Sequence, residues 1–132
     1  MRFDVPSSMI ERLRERWGRD LDDIEREHDA VVLDGGLGPA LYLTRDGRVL
    51  VDGTAWDDSG VREASRTECF TAIIIGAQKT QDSTLLGLLP ARPLGASDCQ
   101  GCATTGWLDS GDQARFVCHA CGGVGWLPAS PV

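Results

Sequence analysis

Apolar residues return at helical spacing from the start of the chain. Met9, Leu13 and Trp17 stand four apart with Ile10 beside them, forming one stripe of a helix. Ser8-Met9-Ile10-Glu11 in front of that stripe has the form of a capping box, in which the hydroxyl and the carboxylate satisfy exposed amides at the helix start. Gly18 is expected to break or kink the helix, and Leu21, Ile24 and His28 continue the period beyond it. The other positions of 11–29 carry dense charge of both signs, the mark of a solvated face. The pattern then changes. Val31-Val32-Leu33 predicts a strand, and Ala40–Thr44 and Arg48–Val51 predict two more, with the hairpin signal Asp46-Gly47 between them. Between the first two, Gly35, Gly36, Gly38 and Pro39 read as a loop; the lysine of a phosphate-binding loop is missing.

Residues 52–64 are polar and predict a loop or a short edge strand around Trp56. Ser65-Arg66-Thr67-Glu68 repeats the capping box. Phe70, Ile73, Ile74 and Ala77 follow at i, i+3, i+4 and i+7, predicting a buried helix over 66–79; the β-branched run Ile73-Ile74-Ile75 leaves a central strand as the alternative. Cys69 has no partner at ligand spacing and reads as a small buried hydrophobe. Asp82 is placed to cap a short helix over Ser83–Leu89, with Leu85, Leu86, Leu88 and Leu89 mostly in the core and Pro90 as its stop. The stretch 90–98 holds two prolines and a glycine, and it divides the chain into a domain of residues 1–94 and a segment of residues 95–132. The fold class expected is α+β: a small helix and β-hairpin domain followed by a ribbon-like hairpin.

That last segment contains an internal repeat. Cys99-Gln100-Gly101-Cys102, then Gly106-Trp107-Leu108, aligns with Cys118-His119-Ala120-Cys121, then Gly125-Trp126-Leu127, at an offset of 19 residues. Two cysteines separated by two residues turn both sulfurs toward one point, and two such turns complete a tetrahedron. The expectation is one structural zinc ion held by Cys99, Cys102, Cys118 and Cys121, on a hairpin whose turn is Asp109–Asp112. Gly106–Leu108 and Arg115–Val117 would be the strands on either side. Four thiolates leave no open position for catalysis, and a segment this short needs the ion in place of a core. His119 lies within the second turn and is expected to point away from the ion. Gly122 suits a left-handed backbone, and Ala103 stands in the equivalent place of the first turn.

The segment from Cys118 to Gly125 resembles the repeat of the DnaJ-type cysteine-rich zinc domain. The copy from Cys99 to Gly106 keeps its cysteines and last glycine and has Thr104 where the middle glycine belongs. That family carries four repeats and two zinc ions; this chain has two repeats and no His-Pro-Asp of a J-domain. The resemblance covers about 30 residues and implies a zinc knuckle of the kind that, in the family, helps to hold polypeptide.

Charge narrows the function classes. The net charge is −7, and Arg115 is the one basic residue after position 94. Phosphate tracking needs clustered Lys and Arg, so direct nucleic-acid contact is disfavoured, and a basic protein partner fits the field better. No apolar run approaches a membrane span, and the first residues lack a signal-peptide core, so a reducing cytoplasm is expected, where cysteine pairs hold metal. No catalytic constellation surrounds His28 or His119. The function expected is therefore a non-enzymatic adaptor, regulator or assembly factor, with Trp107, Trp126 and Trp56 as partner-binding candidates, although packing into local core is the leading reading of all three. Its rivals are a nucleic-acid-associated zinc-ribbon protein and a thiol-disulfide oxidoreductase using the two cysteine pairs.

Overall fold

The computed structural model describes residues 1–35, 39–54, 60–109 and 115–128. The glycines at 36 and 38, Trp56 and most of the turn after Asp109 lie outside the described residues. Two helices, α1 (Met9–Trp17) and α2 (Asp23–His28), lead into β1 (Ala30–Asp34), β2 (Ala40–Thr44), β3 (Val49–Asp52) and β4 (Val61–Glu63). The long helix α3 (Arg66–Thr80) and a 3-10 helix (Ser83–Leu88) follow. The cysteine segment holds β5 (Ser97–Asp98), β6 (Trp107–Asp109), β7 (Arg115–Val117) and β8 (Trp126–Leu127). The class is α+β, as expected. No helix among the described residues is long and apolar enough to cross a membrane.

Strands β1 to β4 form one antiparallel meander in chain order. Both faces of its centre are covered, which explains why Val31-Val32-Leu33 is apolar without alternation. Val31, Leu33, Leu43 and Val49 point into the main core with Ile10, Leu13, Phe70 and Ile73. Ala30, Val32, Tyr42 and Leu50 form a second cluster under Trp17 and Ile24. The outer edge of β1 is closed by side chains: Trp17 Nε1 donates to Val32 O at 2.7 Å, Arg14 donates to Ala30 O at 2.9 Å, and the Val32 amide donates to the buried Glu25 carboxylate at 3.1 Å. Those bonds occupy groups that an added strand would need.

The helix starts divide. Ser65 and Glu68 form the expected capping box on α3. Ser8 does not cap α1: it has helical dihedrals and no side-chain bond to the helix, and Glu11 instead pairs with Arg45 beyond β2. The box that the sequence reading missed is Asp22 with Glu25, which starts α2. Gly18 ends α1 in a left-handed conformation. Segment 66–80 is helical despite its isoleucines because it is buried on more than one side, by β1 and by the cysteine hairpin.

One expectation about the leucines needs correction. Of the four after Ser83, Leu85 is fully buried and Leu88 and Leu89 pack against the core as expected, but Leu86 is 44% exposed. A 3-10 helix has about three residues per turn, so Leu85 and Leu88 share the core side while Leu86 turns away.

Glu68 also joins β4 to α3. The Arg62 guanidinium grips its carboxylate at 2.8 and 2.7 Å, burial opposes, and Ser65 adds further bonds, so its pKa falls from 4.5 to about 2. A depressed carboxyl stabilises above its unfolded value and loses that contribution as pH drops through the folded one. The pair is partly solvated, which limits its worth to about 1 kcal/mol. Glu68→Gln is expected to lower stability by about that amount at pH 7, with the deficit closing between pH 4.5 and 2 in urea melts.

Candidate metal centre

The four cysteines of the repeat converge. Their sulfurs lie within 4.8 Å of one another, and all four residues are buried. Cys99 Sγ is 3.8 Å from Cys118 Sγ, and Cys102 Sγ is 3.8 Å from Cys121 Sγ. A tetrahedron with metal–sulfur bonds of ~2.3 Å has edges of ~3.8 Å. A disulfide needs about 2.05 Å. The donor set thus has the size of a tetrahedral metal site. His119 is exposed and outside the cluster. Cys69 is a buried, separate thiol that burial pushes above its ordinary pKa.

The two halves support each other reciprocally. The Cys99 amide donates to Gly125 O at 3.0 Å, and the Cys118 amide donates to Gly106 O at 2.8 Å. The Gly106 amide points at Cys102 Sγ at 3.2 Å, and the Gly125 amide points at Cys121 Sγ at 3.3 Å. Such N–H donors favour thiolates and fix their direction. β6 pairs with β7 as the spacing predicts, and β5 pairs with β8 to close the segment, a pairing with no signal in its two-residue strands. Among the thiols, burial pushes Cys99 up to about 12. Burial acts the same way on Cys118, but bonds from the Cys121 and Ala120 amides and from the Cys121 and Cys99 thiols together bring it below its ordinary value. A metal ion must displace protons from such a set, so its affinity falls as pH falls.

The repeat's departures from symmetry have one cause. Gly122 has φ +72°, and a Cβ there would stand 2.6 Å from Thr67 O; at Gly123 it would stand 2.6 Å from Ile74 Cδ1. Their counterparts Ala103 and Thr104 take the same left-handed dihedrals, at φ 51° and 66°, yet face solvent. At these two positions the second knuckle docks on α3, and α3 excludes a side chain there. Thr104 accepts strain that its position does not require. Thr104→Gly is expected to raise stability by about 0.5–1 kcal/mol, checked by chemical melts of the metal-loaded protein.

The docking contact is aromatic. Trp126 is 6% exposed and lies 6.1 Å from Phe70, ring centre to ring centre, with the Arg66 guanidinium 4.6 Å from the Phe70 ring and 5.1 Å from the Trp126 ring. Trp126 is therefore packed into the joint between hairpin and helix. Trp107 is half-buried and lines a mostly apolar cleft of about 590 Å³. Ile74, Ala77, Leu86 and Leu89 form one wall of that cleft, and Trp107 and Val124 belong to the other. Gln78 and Ser83 add polar groups, and among the described residues no charged side chain lines it. Sequence reading missed Ile74, Leu86 and Leu89 as a surface; the available signal was a helix apolar on more sides than one core uses. Compared with known protein families, curated proteins and solved structures, the chain matches none.

Proposed function

We propose that the protein is a non-enzymatic adaptor, regulator or assembly factor whose structural metal is zinc and whose docking surface is the cleft beside Trp107. The observation that carries this reading is a mostly apolar cleft, lined on one side by the cysteine hairpin and without a charged side chain among the described residues, on a chain of net charge −7. Zinc suits four buried thiolates in a closed tetrahedron, where a metal organises structure and offers no site for chemistry. The burial of all four cysteines favours that role over dithiol exchange, which needs an accessible thiolate. Charge complementarity selects the partner: an apolar segment of another protein flanked by basic residues, in preference to a second acidic copy of this chain. The resemblance of the knuckle to the polypeptide-holding DnaJ-type repeat points the same way, and a reducing cytoplasm suits the free thiols.

The test is affinity capture from the native cell, read by mass spectrometry for bound protein and bound metal. A stoichiometric basic partner is expected, weakened about tenfold or more by Leu86→Asp or Trp107→Ala and released by salt. Leu86 is exposed, so its replacement leaves the core intact. Recovery of the chain alone, or of a partner indifferent to both variants, overturns the reading. Salt-dependent RNA or DNA binding would support the nucleic-acid alternative instead.

A further inference from the structure

We propose that the metal centre regulates the cleft: loading the four cysteines assembles one of its walls, and metal loss dismantles it. This rests on the cleft being the docking surface. The cleft is shared between two parts of the chain with unequal means of support. Ile74, Ala77 and Leu89 belong to elements anchored in the main core through Phe70, Ile73 and Leu85. Trp107, Val124 and Trp126 belong to a hairpin whose own cluster is the four cysteines with Leu108, Val124 and Leu127 packed around them. Without an ion that cluster is four thiols around a point, and the segment has little else to hold it.

The two parts are joined where the metal half meets α3. Thr71 Oγ1 donates to Gly122 O at 3.2 Å, directly after the ligand Cys121. Gly122 rests on Thr67, Gly123 on Ile74, and Trp126 on Phe70 under Arg66. Docking therefore adds to the free energy of metal binding, and by linkage anything that binds both walls tightens the metal by the same factor by which the metal tightens it. Loss of the ion would leave Ile74 and Ala77, now 9% and 7% exposed, facing water on the second side of α3.

The test uses the full chain, loaded with zinc or stripped by chelator, and needs no partner. Stripping is expected to raise amide exchange across Ile74–Leu89 by about tenfold or more, with β1 to β3 unchanged. Thr71→Val keeps every thiolate and is expected to weaken zinc about fivefold in competition with a chromophoric chelator; Trp126→Leu should weaken it further. Unchanged exchange on stripping, or unchanged zinc affinity in both variants, overturns the proposal. The docking reading fails by a different result: intact coupling with no partner sensitive to Leu86→Asp. A cleft-dependent partner that binds stripped protein equally well overturns the regulation alone.

Discussion

Cys118→Ser is expected to take the purified, reduced protein from one metal equivalent per chain to almost none, and to leave residues 97–128 without ordered structure. Structural zinc sites hold their peptides with apparent free energies of about 10–16 kcal/mol at neutral pH, far more than a segment of this size gains from burial. A serine hydroxyl in place of a thiolate offers a harder, protonated donor at a site whose other three ligands are sulfur. The substitution keeps the residue's backbone amide, which bonds Gly106 O, so the loss is that of the thiolate alone. The control is Cys69→Ala. That thiol is buried in the main core, apart from the cluster, so the variant should keep its metal and lose about 1–2 kcal/mol from the helical domain. Elemental analysis separates the two, because only the cluster variant should lose its metal. Full metal content in Cys118→Ser would remove the basis for a four-cysteine centre.

How much of this was legible in the chain follows from how local each signal is. The cysteine turns were readable because two residues between ligands set geometry without help from the rest of the fold. Strands β1 to β3 were readable because β-branched runs and Asp46-Gly47 act over a few residues. The capping box at Ser65 was real and the identical-looking one at Ser8 was not, because Arg45, 34 residues downstream of Glu11, draws that carboxylate away. Leu86 departed for another reason: it stands among three leucines that pack in or against the core, and the 3-10 turn carries its side chain to the solvated side. The cleft was not legible, since it exists only where the hairpin meets α3, and no run of sequence contains both walls. The glycine asymmetry of the repeat was visible in the sequence, but its cause was not. A docked face excludes Cβ atoms at 122 and 123, while at 103 and 104 a solvated one admits them.

Gly106→Ala and Gly125→Ala carry the second large effect, and they act without touching a ligand. At Gly106 an added Cβ would overlap the carbonyl of Gly123, and at Gly125 it would overlap the carbonyl of Thr104. Each glycine of one knuckle is thus laid against the backbone of the other, and backbone cannot rotate aside as a side chain can. Both also sit at positive φ, 82° and 85°, where an L-residue is strained by about 1–2 kcal/mol before any overlap is counted. Relief requires the two knuckles to separate, which lengthens the Cys118 amide bond to Gly106 O or the Cys99 amide bond to Gly125 O and moves the sulfur pairs off the 3.8 Å edges that a tetrahedral ion needs. Metal affinity is expected to fall by a factor on the order of 100 or more in either variant, equivalent to about 3 kcal/mol, as measured by chelator competition. Ala103→Gly, in the same hairpin but on its solvated side, should leave that affinity unchanged or slightly raised. If both glycine variants bound metal as Ala103→Gly does, the interlocked backbone would not be what holds the four sulfurs together.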